Sequence, residues 1–179
     1  MSIPLMIVAH PALSTSRINA TRIAASWQAS SIAAHDLYGH DPDETINGQT
    51  EQHRQSSHER TNLPFAFHRD NRPPLWMDWL VFVAEHGRVY GHRADVLKGK
   101  PRGSAVSTEL TPKVSRKDGR NGRAMSELTR PFEGRALRMN MRYLPSCLRY
   151  DASDIDAPPR VANRLAPCAH ERQGERDSQ

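Results

Sequence analysis

His35-Asp36 and His40-Asp41 place a histidine beside a carboxylate twice within seven residues, the pairing that general acid–base chemistry uses. The first pair lies in a short strand candidate, SIAAHDLY (31–38). Glu85, His86 and His92 gather metal-ligating groups around Tyr90. Their Glu-His-x5-His spacing matches no zinc-protease pattern, and no metal is assigned. Arg116, Lys117, Arg120 and Arg123 offer four cations to a phosphate, but they lie in a Gly- and Asp-containing stretch that reads as a solvated loop. Cys147 has no His–Asp partner that would make it a nucleophile. Trp76 and Trp79 fall on one apolar helix face and read as core. No catalytic residue is assigned from these groups.

The elements that must carry these residues alternate. IPLMIVA (3–9) is short and continuously apolar, as suits a strand covered on both faces. Residues 16–28 predict a helix with Ile18, Ile23, Ala24 and Trp27 near one face. SIAAHDLY is the second strand, followed by a polar loop with turn signals at Pro42 and Asn47-Gly48. Residues 51–59 have no apolar face and are helical by propensity alone. Pro73-Pro74 open a strong helix carrying Leu75, Trp76, Trp79, Leu80, Val83 and Ala84, with Gly87 as its stop. GSAVST (103–108) predicts a weak strand, 109–124 a mobile surface loop, and 125–139 a helix interrupted near Pro131. The last strand lies within 141–150. The tail 151–179 is polar, with a frayed helix near 160–165 and disorder beyond. The organisation is one domain over 1–150 plus that tail. Strands alternating with helices make a parallel sheet with helices on both faces. Ligands then sit beyond the carboxyl ends of the strands, where the loops 10–19, 66–72 and 108–118 share one rim.

The chain has 179 residues, enough for one sizeable core, but only 37% are apolar and the mean hydropathy is −0.72, so thin burial is expected. The net charge of +5 is scattered, and no basic–aromatic motif points to nucleic acid. Two cysteines, Cys147 and Cys168, do not make a disulfide framework, in keeping with a reducing cytoplasm. No apolar run approaches the ~18–20 residues of a membrane span, and MSIPLMIVAHP lacks the basic start of a signal peptide.

RTNLPFAFHRDNRPP (60–74) resists this scheme. A central strand belongs there, yet Arg60, Thr61 and Asn62 open it, and unpaired polar groups in a core cost roughly 1–3 kcal/mol each. A resemblance resolves part of the conflict. AHP…SRIN, HDLYGHDPD, Glu51-Gln52, PPLWMDW…EHGRVYGHRADVLKGK, MSELTRPFE and MRYLP occur in this order over residues 5–150. Together they resemble flavodoxin-like NAD(P)H:quinone oxidoreductases, in particular the ancillary oxidoreductase of glutathione-regulated potassium-efflux antiporters.

The resemblance implies a flavodoxin-like three-layer sandwich around a central parallel sheet, and FMN rather than FAD in so short a chain. It implies NAD(P)H as co-substrate and a quinone as electron acceptor, the flavin supplying the redox chemistry and the protein its binding and polarisation. It implies a homodimer, with the helix 73–86 in the contact, and a membrane antiporter as partner of a cytoplasmic protein held at the inner membrane. His10, Ser16, Arg17, Ile18 and Asn19 correspond to the loop that cradles the flavin phosphate, a task suited to backbone N–H groups at a helix start. Ala66, Phe67, His68 and Arg69 correspond to the loop lining the flavin ring, where Arg69 replaces a tryptophan. Ser107, Thr108, Glu109 and Leu110 stand where relatives have Thr-Thr-Gly-Gly, so the hydroxyls remain and both glycines are gone. Ser115 aligns with a tyrosine of many relatives. The altered loops leave a second reading open, a regulatory subunit or decayed copy that no longer binds flavin.

Overall fold

Parallel pairing starts from the first apolar run. In the computed structural model, which describes residues 3–16, 19–21, 23–24, 32–67, 72–84 and 96–150, β1 (Leu5–Val8) lies between β2 (Ala33–Asp36) and β3 (Thr61–Ala66). β3 pairs in parallel with β4 (Pro101–Ser107), from Thr61 opposite Arg102 to Ala66 opposite Ser107. The far edge is one strand in two pieces. β5 (Arg142–Tyr143) pairs with the start of β4 and β6 (Cys147–Arg149) with its end. Pro145 lies between the pieces and has no N–H to give to a ladder. The order β2-β1-β3-β4-β5, all parallel, sets every carboxyl end on one rim.

Side-chain alternation along β1 explains its unbroken apolar run. Leu5 and Ile7 pack with Leu75, Trp76 and Trp79 of α2 (Pro74–Val83) and with Met125 and Phe132 of α3 (Met125–Arg138). Met6 and Val8 pack on the other face with Ile23, which lies among the helical residues 19–21 and 23–24. Both faces are therefore covered. Phe65, Trp76 and Phe132 form a three-ring cluster with centroids 5.0–5.5 Å apart, and both tryptophans are fully buried, as their spacing predicts.

The central strand exists despite its polar start. Arg60 precedes it and is exposed, Asn62 is half-buried, and only Thr61 is buried; none of the three leaves a buried atom without a partner. Asn62 sits opposite Gly103, which sets no side chain beside its amide. Pro64 also tolerates a central position. The β1–β3 ladder is confined to Leu5 opposite Thr61 and Met6 opposite Asn62, and ends before the donor that proline lacks would be needed.

Two expectations about helices are corrected. Pro131 does not interrupt α3, which runs through it from Met125 to Arg138. The proline is exposed, and its missing N–H costs the helix the bond to Glu127 O without ending it. Glu127 supports the start of this helix, its Oε2 accepting from Ala124 N at 2.9 Å. The polar segment near Glu51 is a packed helix, α1 (Gly48–Ser56), capped by Asn47 Oδ1 accepting from Thr50 N at 3.1 Å. Its buried face is Glu51, Gln52 and Gln55. Gln52 Nε2 donates to the carbonyls of Phe82 and Val83 (3.4 and 3.2 Å), satisfying the end of α2. Glu51 accepts from Trp79 Nε1 at 2.8 Å and Arg54 Nε at 3.1 Å. His35 Nε2 also lies 3.1 Å from Glu51 Oε1, at ion-pair range but out of line for a hydrogen bond. Burial pushes the Glu51 carboxyl up, but His35, Trp79 and Arg54 outweigh it and bring it down to about 2.

Arg102 is the other buried charge against Trp79. Its Nη1 donates to Met139 Sδ at 3.7 Å and its guanidinium lies 5.9 Å from the Trp79 ring centre. Burial pulls it down to about 9; Tyr143 opposes that, and Arg135 and Arg72 add to it.

Candidate functional site

The carboxyl rim is where the sheet brings the three predicted loops together. After β1, His10 Nδ1 accepts from Ala12 N at 3.2 Å, and a 3-10 turn (Leu13–Thr15) leads to Ser16. Ser16 starts the helix: its carbonyl accepts from Ala20 N at 3.0 Å and its Oγ from Asn19 N at 3.2 Å. Asn19 is 1% exposed, and its amide oxygen has no partner. A buried amide with one unsatisfied end, at a hydroxyl-capped helix start, fits an anion, because rotating the amide end for end presents two N–H donors. Arg17 and Ile18 lie outside the described residues.

After β3, Ala66 is half-buried, and Phe67 is buried with its N–H donated to Ser107 O at 2.8 Å. His68 and Arg69 lie outside the described residues, as do Glu85, His86, Tyr90, His92 and the tail from Asp151. After β4, Ser107 Oγ donates to Phe65 O at 3.4 Å. Thr108 N donates to Arg149 O at 2.8 Å, and its Oγ1 accepts from Leu110 N at 3.2 Å. The threonine hydroxyl is thus engaged by its own loop. Leu110 is half-buried and Glu109 exposed. The phosphate end of the rim fits a nucleotide better than the end that would face a flavin ring.

The segment 109–124 is not the structureless loop expected of it. Val114 and Ser115 both donate to Thr111 O at 3.1 Å, and Gly122 donates to Gly119 O at 2.9 Å, so it is a chain of closed turns. Gly119 is required there, since a Cβ would stand 2.5 Å from Lys113 O. Ser115 is buried with an unpartnered Oγ. The two His-Asp pairs come together around one helical turn (Leu37–His40) that follows β2 on the same rim. His35, His40 and Asp41 each place a ligand atom within 4.8 Å of the others. The repeat of His-Asp was visible in the sequence; that the turn folds the second pair back on the first was not.

Sheet order, both-face covering and rim loops define a flavodoxin-like protein, and comparison bears this out. The family described as flavodoxin-like fold matches residues 4–169, and the chain belongs to it. Among its relatives is a Bacillus subtilis protein named as an uncharacterized NAD(P)H oxidoreductase, YdeQ, 33% identical over 84% of this chain and 77% of that one. The potassium-efflux ancillary protein KefG of Pectobacterium carotovorum is 30% identical over 82% of this chain and 80% of its own. General stress protein 14 of Treponema denticola, solved in complex with FMN, superposes with a TM-score of 0.84 at 29% identity, covering 91% of this chain and 95% of that one. An NADPH-quinone reductase of P. pentosaceus gives 0.80 at 28%, covering 94% and 99%. No described helix is long and apolar enough to cross a membrane.

Proposed function

We propose that this chain is an FMN-dependent NAD(P)H:quinone oxidoreductase. The observation that carries the reading is the buried Asn19 amide, its Oδ1 without a partner, beside Ser16 at a helix start on the carboxyl rim. Ser16, Asn19 and the backbone N–H groups of that start hold the phosphate, with His10, Arg17 and Ile18 completing the loop. Ala66, Phe67, His68 and Arg69 flank the ring on one side and Ser107, Thr108, Glu109 and Leu110 on the other. The chemistry FMN would supply is acceptance of a hydride from NAD(P)H and two-electron reduction of a quinone. Relatives named as an NAD(P)H oxidoreductase and an NADPH-quinone reductase, and one solved with FMN, support this. The protein acts as a homodimer: Val81 and Phe82 expose apolar side chains on α2, the helix assigned to the contact. The likeness to KefG supports a cytoplasmic protein brought to a potassium-efflux antiporter.

A second reading, a regulatory subunit without flavin, is favoured by one observation. Thr108 Oγ1 accepts from Leu110 N where the glycines are missing, so one of its lone pairs is turned to its own loop. The test is to add FMN to the purified chain, remove the excess and measure the yellow flavin absorption retained. About one FMN per chain is expected, falling at least tenfold in affinity in Ser16→Ala/Asn19→Ala. No retention in a protein that melts cooperatively overturns the enzyme reading in favour of the regulatory one. Glu109→Gly/Leu110→Gly with Arg69→Trp should tighten FMN; unchanged affinity would show that these loops do not face the ring.

A further inference from the structure

The end of β2 gathers more polar chemistry than the flavin reading uses. Nine buried side-chain atoms among the described residues lack a hydrogen-bond partner, and three of them fall within residues 35–41: His35 Nε2, Asp36 Oδ1 and Asp41 Oδ2. His35 is 5% exposed, and its ring meets that of His40 edge-on with centroids 5.0 Å apart. His40 Nδ1 lies 3.3 Å from Asp41 Oδ1, the separation of two neighbouring ligands about 2.1 Å from a tetrahedral cation. One ligand atom from each of His35, His40 and Asp41 falls within 4.8 Å of the others, so small side-chain adjustments converge them.

We propose that His35, His40 and Asp41 form a binding site for a divalent first-row transition cation of the Zn²⁺ class. Two imidazoles and one carboxylate are the donor set such cations prefer, and hard cations such as Mg²⁺ and Ca²⁺ favour all-oxygen sites. Glu51 Oε1 lies 3.1 Å from His35 Nε2, so a buried carboxylate stands beside this ring and favours its present orientation. The balance of charge agrees. Asp36, Asp41 and Glu51 bring three carboxylates to the neighbourhood, and Arg54 is the cation paired with Glu51. His40 is half-exposed, so the site opens to solvent on one side and a fourth position remains for water. The metal would clamp the turn 37–40 onto the end of the edge strand. Tyr38 of this turn accepts a hydrogen bond from Leu75 N at the start of α2.

The test titrates the full chain, freed of metal by chelator, with Co²⁺, reading the visible d–d absorption and its displacement by Zn²⁺. One Co²⁺ per chain is expected, displaced by Zn²⁺. Binding should be lost in His40→Ala, at a half-exposed position whose metal-free melting stays near that of the parent, and in Asp41→Asn, which keeps the shape of a largely buried side chain. Glu51→Gln should weaken it by about 10–100-fold, as for a positioning residue. The chain carries nine histidines, so the location matters as much as the stoichiometry. No Co²⁺ signal, or a signal retained in both His40→Ala and Asp41→Asn, overturns the proposal. The outcome is independent of whether FMN binds.

Discussion

Glu51 and Arg102 are each 2% exposed, carry opposite charges, and share Trp79 as a neighbour, the carboxylate at its indole N–H and the guanidinium toward its ring. Their surroundings differ in kind. Glu51 takes two aligned hydrogen bonds and an ion-pair contact from three elements, and these draw its pKa to about 2 against the effect of burial. Arg102 has a thioether and an aromatic face, and burial dominates, drawing its pKa to about 9. A buried charge is favourable only when enough partners replace the water it has left. The first is part of how α1 is held against β2 and α2. The second is a strain that the rest of the core absorbs.

The largest expected effect comes from breaking the compensated site. Glu51→Gln should lower stability by about 3–5 kcal/mol, because His35 and Arg54 then lose their buried anion, and a denaturant melt measures it. The acid limb offers a second readout. Glu51 titrates near 2 when folded and near 4.5 when free, so its contribution is complete above 4.5 and is lost as pH falls from there through 2. In chelator, the parent should lose stability over that window and Glu51→Gln should lose less. Equal acid slopes would mean that the three partners do not favour the charged form.

Arg102 should answer in the opposite sense. Its folded pKa, about 9, lies well below that of a free guanidinium, so the penalty is complete below pH 9 and eases only as the solution becomes more alkaline. Arg102→Met fills similar volume without charge, beside Met139, and should raise stability by about 1–4 kcal/mol at neutral pH. A loss as large as that of Glu51→Gln would break the contrast and reveal an anionic partner for the guanidinium.

The same contrast explains what the sequence disclosed. Elements stabilised by apolar burial were legible: β1 by its unbroken run, α2 by Leu75, Trp76, Trp79, Leu80 and Val83 behind Pro73-Pro74, and β4 by SAVS. Elements held by polar contacts were not. α1 shows no apolar periodicity because its inward face is Glu51, Gln52 and Gln55, which bond to α2 and Met141, about 30 residues away or more. Pro131 signals a break in the sequence, yet the helix carries this exposed proline within one run from Met125 to Arg138. At the rim, the parallel sheet brings the loops after β1, β3 and β4, those the resemblance pointed to, to one edge. Whether a hydroxyl is free was beyond sequence: Thr108 looks available until Leu110 N is seen to engage it.

The smallest effect sharpens the comparison from within the Glu51 network. Arg54 and Trp79 both donate to the carboxylate, but Arg54 is 30% exposed while Trp79 is fully buried. If compensation depends on partners that are themselves desolvated, water can take the place of the guanidinium but not of the indole N–H. Arg54→Ala should therefore cost below about 1 kcal/mol, in the range of partly exposed ion pairs, and its cost should shrink further in high salt. Its measurement is a pair of denaturant melts at low and high ionic strength. A salt-insensitive loss approaching that of Glu51→Gln would show that Arg54 acts as a buried partner, and that the carboxylate depends on cationic neighbours more than on the Trp79 hydrogen bond.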